Sequence, residues 1–397
     1  MLEPIKMDFI PVNPRRIIDG GKKIPVLSFF TGGGFLDLGF ELAGFKIVWT
    51  NECSLVFKEM YEYGMTAWRR SSGVDAIAKI SDCRSIEEIP ADDIIKKAFP
   101  HGRPPLFGAI GGPPCPDFAR GGKNRGDKGN HGVLSKIYVD RICEIKPDFF
   151  VFENVSGLLR TKKHRAFLDE LEAQLEENGY SLDLKILSAL EFGVPQDRER
   201  LIFIGIMQNL LEASLSRVLG EKERRWFPFP ECPEYKDAKT RFNWPAVEPP
   251  GKIPEKPTGI PDELMVYSIL DGCDPPSKQP NGLEVFKPYS DKFATVCEGD
   301  DRRKSFKRLH RYRYSPTACY GHNEVHLHPW ENRRLTVREA MRIQGIPDSY
   351  PLLPEKSLTA KYALIGNGVP VPLAYRVAVS LYEFLQKVLN KECSLRS

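Results

Sequence analysis

Apolar runs of strand length alternate with segments of helical spacing over residues 24–206, and this alternation limits the fold more than any other feature. Ile24 to Phe30, Lys46 to Thr50, 106–111, Phe149 to Phe152, Leu182 to Leu187 and Leu201 to Ile206 read as strands. Ser81-Asp82-Cys83 reads as the end of another, third in order. Phe35 to Ala43, Lys136 to Ile145 and His164 to Asn178 carry helical spacing, the last stopped by Gly179. Such alternation predicts an α/β fold built on a doubly wound, mostly parallel sheet.

In an open sheet of this kind, ligands bind outside the carboxyl ends of the strands. Two stretches fall there. The first strand runs into Thr31-Gly32-Gly33-Gly34, where glycines let the backbone approach a ligand and open a helix N-terminus toward it. The second strand closes on Asn51-Glu52. Glu52 follows Gly34 by 18 positions and is placed to accept hydrogen bonds from ribose hydroxyls, which points to a nucleoside-containing ligand. No phosphate-loop lysine follows the glycines, which argues against a nucleoside triphosphatase.

The other stretch is Gly111-Gly112-Pro113-Pro114-Cys115-Pro116-Asp117-Phe118, at the end of the run 106–111. Its prolines fix φ and remove backbone donors, so the Cys115 thiol belongs to a stiff, non-helical turn. Taken alone, the residue fits a buried structural cysteine; its place at the ligand crevice also suits a reacting thiol. A flexible basic loop follows from Ala119 to Gly126.

At 397 residues the chain is too long for one comfortable core, so two domains are expected. Hydrophobic and charged fractions of 41% and 28% are those of an ordinary soluble protein, and a net charge of +4 identifies no partner. Nine scattered cysteines include no Cys-x-x-Cys pair, so neither a zinc site nor a disulfide framework is suggested. Met1 to Lys23 has no apolar core of signal-peptide length, and no stretch is expected to approach a membrane span. A reducing cytoplasm is the expected compartment.

Composition changes near Gln208. Thirteen of the 33 prolines lie between Trp226 and Pro288, which predicts a loop-rich domain with its own irregular core, or a linker. From Gln208 to Trp330 there are 19 Lys/Arg and 18 Asp/Glu, but the charge is segregated. Arg302 to Arg313 holds seven Lys/Arg and no acid, interleaved with Phe306 and Tyr312, while Glu298, Asp300 and Asp301 lie just upstream. This pattern suits either a solvated face or a phosphate-tracking surface. His322, His326 and His328 lack a cysteine or carboxylate partner and read as loop hydrogen-bonding residues rather than a metal site. Regular structure is expected again from Thr336, a helix cap with Glu339 as its capping-box partner; Gln344-Gly345 ends that helix, and an amphipathic helix runs to about Leu389.

The ordered set of short motifs resembles the DNA (cytosine-5)-methyltransferase family. It comprises Phe30-Thr31-Gly32-Gly33-Gly34, Asn51-Glu52, Pro113-Pro114-Cys115, Glu153-Asn154-Val155 and Gln196-Asp197-Arg198-Glu199-Arg200. It continues with Arg334-Leu335-Thr336-Val337-Arg338-Glu339, Gln344-Gly345-Ile346-Pro347 and Gly366-Asn367-Gly368-Val369. The resemblance covers about residues 24 to 380. It implies a Rossmann-like S-adenosylmethionine-dependent methyltransferase domain over 1–207, a smaller loop-rich target recognition domain over 208–330, and a segment, 331–397, that returns to the catalytic domain.

The resemblance implies S-adenosylmethionine as cofactor, cradled by Phe30, Thr31, Gly32 and Gly34. Glu52 would hold its ribose, Asp82 its adenine amino group, and Asn367 and Val369 would complete the pocket, with the C-terminal helix packed on the N-terminal domain. It also implies double-stranded DNA as substrate, methylated at carbon 5 of a cytosine. That carbon is a poor nucleophile until a thiolate adds at carbon 6. Cys115 would be the thiolate, helped by local positive charge from Arg120, Arg198 or Arg200. Glu153 would protonate ring nitrogen 3 if burial keeps its carboxyl partly protonated. Arg200 would contact the cytosine carbonyl and orient Glu153, with Arg198 in support.

A base inside a duplex must be flipped out to be reached. The loop from Ala119 to Gly132, with Arg120, Lys123, Arg125 and Lys128, would close over the DNA. Arg302, Arg303, Lys307, Arg308, Arg311 and Arg313 would touch its backbone, and 208–330 would read its bases. A cytoplasmic, nucleoid-associated monomer in a prokaryote is expected, with a restriction-modification role and a cognate endonuclease acting separately. Two alternatives stay open: a tRNA methyltransferase, although the Cys-Phe-Thr insert of that branch is absent, and a catalytically silent DNA-binding relative, although such proteins usually lose the cysteine or glutamate. The chain departs from the family pattern at Pro116, Phe35, Cys53 and Gly368.

Overall fold

The computed structural model of the chain describes residues 23–74, 77–114, 130–215, 226–249, 251–271, 274–303, 305–320 and 325–395. Six strands form one sheet: β1 (Ile24–Phe29), β2 (Phe45–Thr50), β3 (Gly108–Gly111), β4 (Phe149–Val155), β5 (Tyr180–Ser188) and β6 (Glu199–Met207). Their spatial order is β2-β1-β3-β4-β6-β5. Strands β2, β1, β3 and β4 pair in parallel, and β6 lies antiparallel between β4 and β5. One strand of six is thus reversed, and the sheet is mostly parallel. The run Ser81-Asp82-Cys83, expected to end a third strand, makes only a single bridge, Asn51 to Asp82. The polar Ser81 and Asp82 give it no apolar face to bury.

Alternation along the strands separates two cores, because successive strand side chains point to opposite faces. On one face Val26, Phe45, Ile110, Val151 and Ile204 pack with Phe40 of α1 (Phe35–Leu42) and with Leu373, Val377 and Leu381. On the other, Leu27, Phe29, Ala109, Phe150 and Phe203 pack with α4 (Asn130–Ile145) and α5 (Lys162–Glu177), through Tyr138, Ile142, Leu168 and Leu171. Between α1 and α4 in sequence lie α2 (Leu55–Ser71) and α3 (Ala91–Ala98).

Beyond residue 330, α6 (Val337–Ile343), α7 (Leu358–Asn367) and α8 (Val371–Leu395) follow. Thr336 and Glu339 make both halves of a capping box on α6, and Gly345 takes φ +68° just past its end. The C-terminal helix α8 lies directly on α1: a β-carbon at Gly39 would stand 2.6 Å from that of Ala374. This contact docks the chain's last helix onto its first. By length and composition Leu358–Leu389 reaches a membrane span, 32 residues holding an 18-residue window of mean hydropathy 1.2, contrary to the expectation that no stretch would. The reason is its position in the core: 72% of its most apolar window is buried inside the protein.

The stretch 226–330 is loop-rich, with short helices and, among the described residues, no strand. Its apolar residues do not collect into one core of their own. Val266, Ile269, Leu309 and Tyr320 join a cluster shared with α1, α2, α6 and α7. Phe227 joins the sheet, and two small clusters form around Tyr235 and Leu264 and around Phe293, Val296 and Leu327.

Candidate active site

The site forms where several strand ends meet. The parallel strands β1, β3 and β4 deliver their C-terminal ends to one edge of the sheet, and antiparallel β6 begins there. Phe30 to Gly33, Gly112 to Pro114, Glu153 to Ser156 and Asp197 to Arg200 all line one cavity of about 930 Å³. That size is within the range of small-molecule sites. Gly366 to Val369, which leads from α7 into α8, forms another part of the wall.

At one end Glu153 and Arg200 form a buried pair, with Nε of Arg200 2.7 Å from Oε1 of Glu153. Strand register explains the pairing. Glu153 faces Ile202 and Val155 faces Arg200, so Glu153 and Arg200 are diagonal neighbours on one face of the sheet. Burial raises the Glu153 carboxyl above its usual value, and the Arg200 and Arg198 charges only partly oppose it. Gly112 lies against this carboxylate: a β-carbon there would be 2.8 Å from Oε2. Asn154 binds back to its own strand, accepting from Val155 N at 2.8 Å, and its Nδ2 stands 3.5 Å from the Pro113 carbonyl.

Arg198 is more deeply buried and spends its hydrogen bonds elsewhere than on Glu153. Its guanidinium donates to the carbonyls of Ala318 at 3.0 Å, Gly366 at 2.7 Å and Gly368 at 2.8 Å. Burial, with Arg200 beside it, lowers its pKa. The residue therefore ties the start of β6 to the Gly366–Gly368 turn and to the 315–320 loop. Pro114 is the last described residue before Cys115, and it lines the same cavity as Glu153 and Arg200. Cys115, Arg120, Lys123 and Arg125 lie outside the described residues.

At the other end the glycine turn winds through left-handed backbone, with φ of +53° at Phe30, +56° at Gly32 and +70° at Gly34. Glycine meets that demand without strain; Phe30 does not, and such outliers mark ligand-binding turns. Tyr61 also fills the space beside Gly34, where a β-carbon would stand 2.4 Å from its ring. Thr31 N donates to the Asn51 carbonyl at 2.9 Å, and the Tyr350 hydroxyl braces the turn by donating to Gly33 O at 2.6 Å. Glu52 links two elements: Oε2 accepts from Gly32 N at 2.9 Å and Oε1 from Ser54 N at 2.7 Å, while burial raises its pKa. Each oxygen keeps a lone pair for a further donor.

Asp82, which the family resemblance gives to the adenine amino group, is engaged by two cations. Its carboxylate pairs with Arg84 at 2.8 Å and Lys97 at 2.6 Å, which hold it well below the usual carboxylate range, and neither it nor Glu52 is among the residues lining the cavity. Thr31, Gly32, Asn367 and Val369 do line it.

Sequence reading missed Asp37. This acid in the first turn of α1 is fully buried and lines the cavity, and desolvation pushes its pKa up to about 7. One oxygen accepts from Ser28 Oγ at 2.6 Å; the other has no hydrogen-bond partner. A lone buried acceptor beside a glycine turn fits a ligand carrying a cationic donor, as S-adenosylmethionine does, better than it fits a phosphate. The only sequence signal was an acid between Leu36 and Leu38 on a buried helix. Phe57, Thr317, Cys319 and Lys239 also line the cavity, with no motif to announce them.

The basic run Arg302 to Arg313 divides sharply. Arg308 is buried, and its guanidinium donates to the carbonyls of Val296, Phe293, His328 and Glu331. It is a structural clamp, which corrects the expectation of a phosphate contact: all its donors point inward. Arg311 pairs through both nitrogens with Glu298, and Arg313 with Asp301 at 2.7 Å. Arg302 and Arg303 are exposed beside Asp300, and Lys307 is half-buried. His326 bonds Ser315 Oγ at 3.2 Å, and His328 accepts from Glu331 N at 3.2 Å. Burial keeps both imidazoles neutral by lowering their pKa. His322 lies outside the described residues.

A glycine-turn cavity at the carboxyl edge of a mostly parallel sheet, joined to a buried carboxylate–guanidinium pair, defines an α/β enzyme that brings a nucleoside cofactor to a second reactant. The family profile for C-5 cytosine-specific DNA methylases matches residues 24–383, and the chain belongs to that family. It is 43% identical to the Type II methyltransferase M.NmeDI of Neisseria meningitidis serogroup C, over 92% of this chain and 85% of that protein. It is 31% identical to M.FnuDI of Fusobacterium nucleatum, over 91% and 94%. Among solved structures it resembles a methyltransferase encoded within an Escherichia coli prophage, with TM-score 0.61, 20% identity and coverage of 92% and 100%. It also resembles Dnmt2 of Schizosaccharomyces pombe, with TM-score 0.57, 17% identity and coverage of 91% and 99%. At these identities the structural likeness concerns the fold alone. The enzyme transfers a methyl group from S-adenosylmethionine to carbon 5 of cytosine in DNA.

Proposed function

We propose that the transfer proceeds through a covalent adduct of Cys115 with a cytosine flipped out of a specific duplex sequence. The observation that carries this reading is the contact of Gly112 with Glu153. It brings the strand end that leads through Pro113 and Pro114 to Cys115 against the buried Glu153–Arg200 pair.

Cys115 thiolate adds to carbon 6, and the electron pair displaced from the ring moves toward nitrogen 3, which takes the Glu153 proton. Burial of Glu153 supports a proton donor, because it favours the neutral acid. Arg200 orients Glu153 and contacts the cytosine carbonyl; Arg198 is a positioning residue that holds the Gly366–Gly368 turn. Carbon 5, now enamine-like, attacks the electrophilic methyl that the sulfonium of the cofactor supplies. A base then takes the carbon 5 proton, the thiolate leaves, and nitrogen 3 returns its proton to Glu153, which restores the aromatic ring.

Phe30 to Gly33, Asn367 and Val369 form the cofactor end of the cavity, with Glu52 bonded to Gly32 N behind the turn. Asp82 serves it by fixing the Asn51–Asp82 bridge beside Glu52. Residues 208–330 read the target, with Arg302, Arg303 and Lys307 on the DNA backbone and Arg311 and Arg313 free to exchange carboxylate for phosphate partners. Names of the relatives support a restriction-modification role, with a cognate endonuclease acting separately on unmodified DNA in the cytoplasm.

Duplex DNA with 5-fluorocytosine at the target tests the mechanism. Wild-type protein with S-adenosylmethionine is expected to form a denaturation-resistant adduct, and Cys115→Ala none. Equal trapping of both would sink the role of Cys115. Bisulfite sequencing of DNA from an expressing host identifies the target sequence.

A further inference from the structure

We propose that Asp37 is the acceptor for the α-ammonium group on the methionine arm of the cofactor, and so selects for donors that carry it. The proposal rests on the reading that the glycine-turn end of the cavity holds S-adenosylmethionine. Asp37 lies in the first turn of α1, whose side chains lean back toward the glycine turn. It lines the same cavity as Phe30 to Gly33 and Gly366 to Val369.

The elements packed around this carboxyl leave it one donor short. From β1, Ser28 donates to Oδ1 at 2.6 Å. From α1 itself, Glu41 adds a like charge. From α2, the Tyr61 hydroxyl approaches the carboxyl as a donor that favours its charge but does not come within hydrogen-bond distance of Oδ2, and Arg69 is held by both oxygens of Glu41. From the segment before α7, the Tyr350 hydroxyl is committed to Gly33 O. Oδ2 remains buried without a partner. A buried acceptor left open costs free energy unless a ligand completes it.

The cofactor carries two cationic centres on this arm. Its sulfonium has no hydrogen to donate, whereas its ammonium has three, and a charged donor makes the stronger bond to a carboxylate. Pairing with the ammonium favours the ionised acid. Asp37, raised to about 7 by burial, therefore gives up its proton when the cofactor binds below that pH. Affinity rises with pH up to the value at which an α-amino group itself begins to deprotonate, about 7.7–8.0.

Isothermal titration calorimetry in buffers of different ionisation enthalpy reads this directly. Wild-type protein is expected to release about one proton per S-adenosylmethionine bound at pH 6 and to gain roughly fivefold in affinity between pH 6 and pH 7. S-adenosylhomocysteine, which keeps the ammonium and lacks the sulfonium charge, is expected to release the same proton. Its deaminated analogue is expected to release none and to bind roughly 10- to 100-fold more weakly. Asp37→Asn is expected to lose the proton release and the pH dependence. If that variant fails to fold, the three ligands on wild-type protein decide the matter. Binding without proton release, equal binding of the deaminated analogue, or release with S-adenosylmethionine alone each overturns the assignment. Ultraviolet cross-linking of the cofactor, followed by peptide mapping, keeps the two readings apart. A label outside the peptides around 28–42 and 364–376 means the cavity is misassigned, while a label within them alongside a failed titration removes only Asp37.

Discussion

Gly112 and Glu153 are packed so closely that a single methyl group on Gly112 would stand 2.8 Å from Oε2 of Glu153. The backbone at Gly112 is not left-handed, so the demand is for space rather than for an unusual φ. Gly112→Ala is expected to fold, to push the Glu153 carboxylate away from Arg200, and to lower kcat by about 10²-fold or more, the usual share of a positioned acid. Single-turnover methylation measured beside thermal melting checks this. A variant that melts like wild type and turns over normally would mean that Glu153 tolerates displacement.

Glu153→Gln removes the proton donor but keeps the shape. Methyl transfer is expected to fall by about 10²- to 10⁴-fold, with cofactor affinity by calorimetry unchanged. Wild-type kcat is expected to decline as pH rises through the raised Glu153 pKa, because the neutral acid is the reactive form. The thiolate requirement supplies the opposite limb. Stability follows the same sign. Between the unfolded carboxyl value, about 4.3, and the raised folded value, the native state keeps a proton that the unfolded chain loses. This contribution to stability weakens as pH rises through that window. Denaturant titrations at several pH values should show a flatter profile for the variant.

Much of this arrangement was legible in the chain. Strand runs such as Phe149 to Phe152 are continuous and apolar because both faces of the sheet are covered, and each of the six runs reappears as a strand. Thr336 and Glu339 could be read as a capping box because their chemistry is local. What stayed hidden depended on long-range packing. Arg308 and Arg302 look alike in sequence, yet one is wrapped by four carbonyls and the other is in solvent. Asp37 is an ordinary helix-start acid until Ser28, Tyr61 and Tyr350 close around it. How the apolar residues of 208–330 are shared between small local clusters and the main core was hidden for a related reason. Val266, Leu309 and Tyr320 are spaced without periodicity, and only the fold shows that they share a core with α1 and α6.

Arg198 provides a test of positioning as distinct from chemistry. Its three bonds to Ala318, Gly366 and Gly368 join segments more than 100 residues apart. Arg198→Ala leaves three buried carbonyls without their donor, each worth about 1–3 kcal/mol. It is expected to lower the melting temperature and to raise the cofactor Kd through the freed Gly366–Gly368 turn. Arg198→Lys should restore part of the stability, since its ammonium reaches fewer carbonyls in a fixed fork. A normal Kd in a destabilised Arg198→Ala would separate the turn from cofactor binding.

The basic run should split in the same way in solution. Arg302 and Arg303 are exposed and share Asp300 as a surface partner, an arrangement that contributes little to folding. Alanine at either is expected to leave melting unchanged and to weaken binding to every DNA sequence alike, reducing the slope of log K against log salt by about 1. Arg308→Ala is expected to do the reverse. It uncovers four buried carbonyls and destabilises the 293–331 region by about 3 kcal/mol or more. Its salt slope stays that of wild type in whatever fraction remains folded, because none of its donors points toward solvent. Fluorescence anisotropy with a labelled duplex across a salt series, beside thermal melting, distinguishes the two. A lost unit of slope in Arg308→Ala with an intact melt would return that residue to the DNA surface.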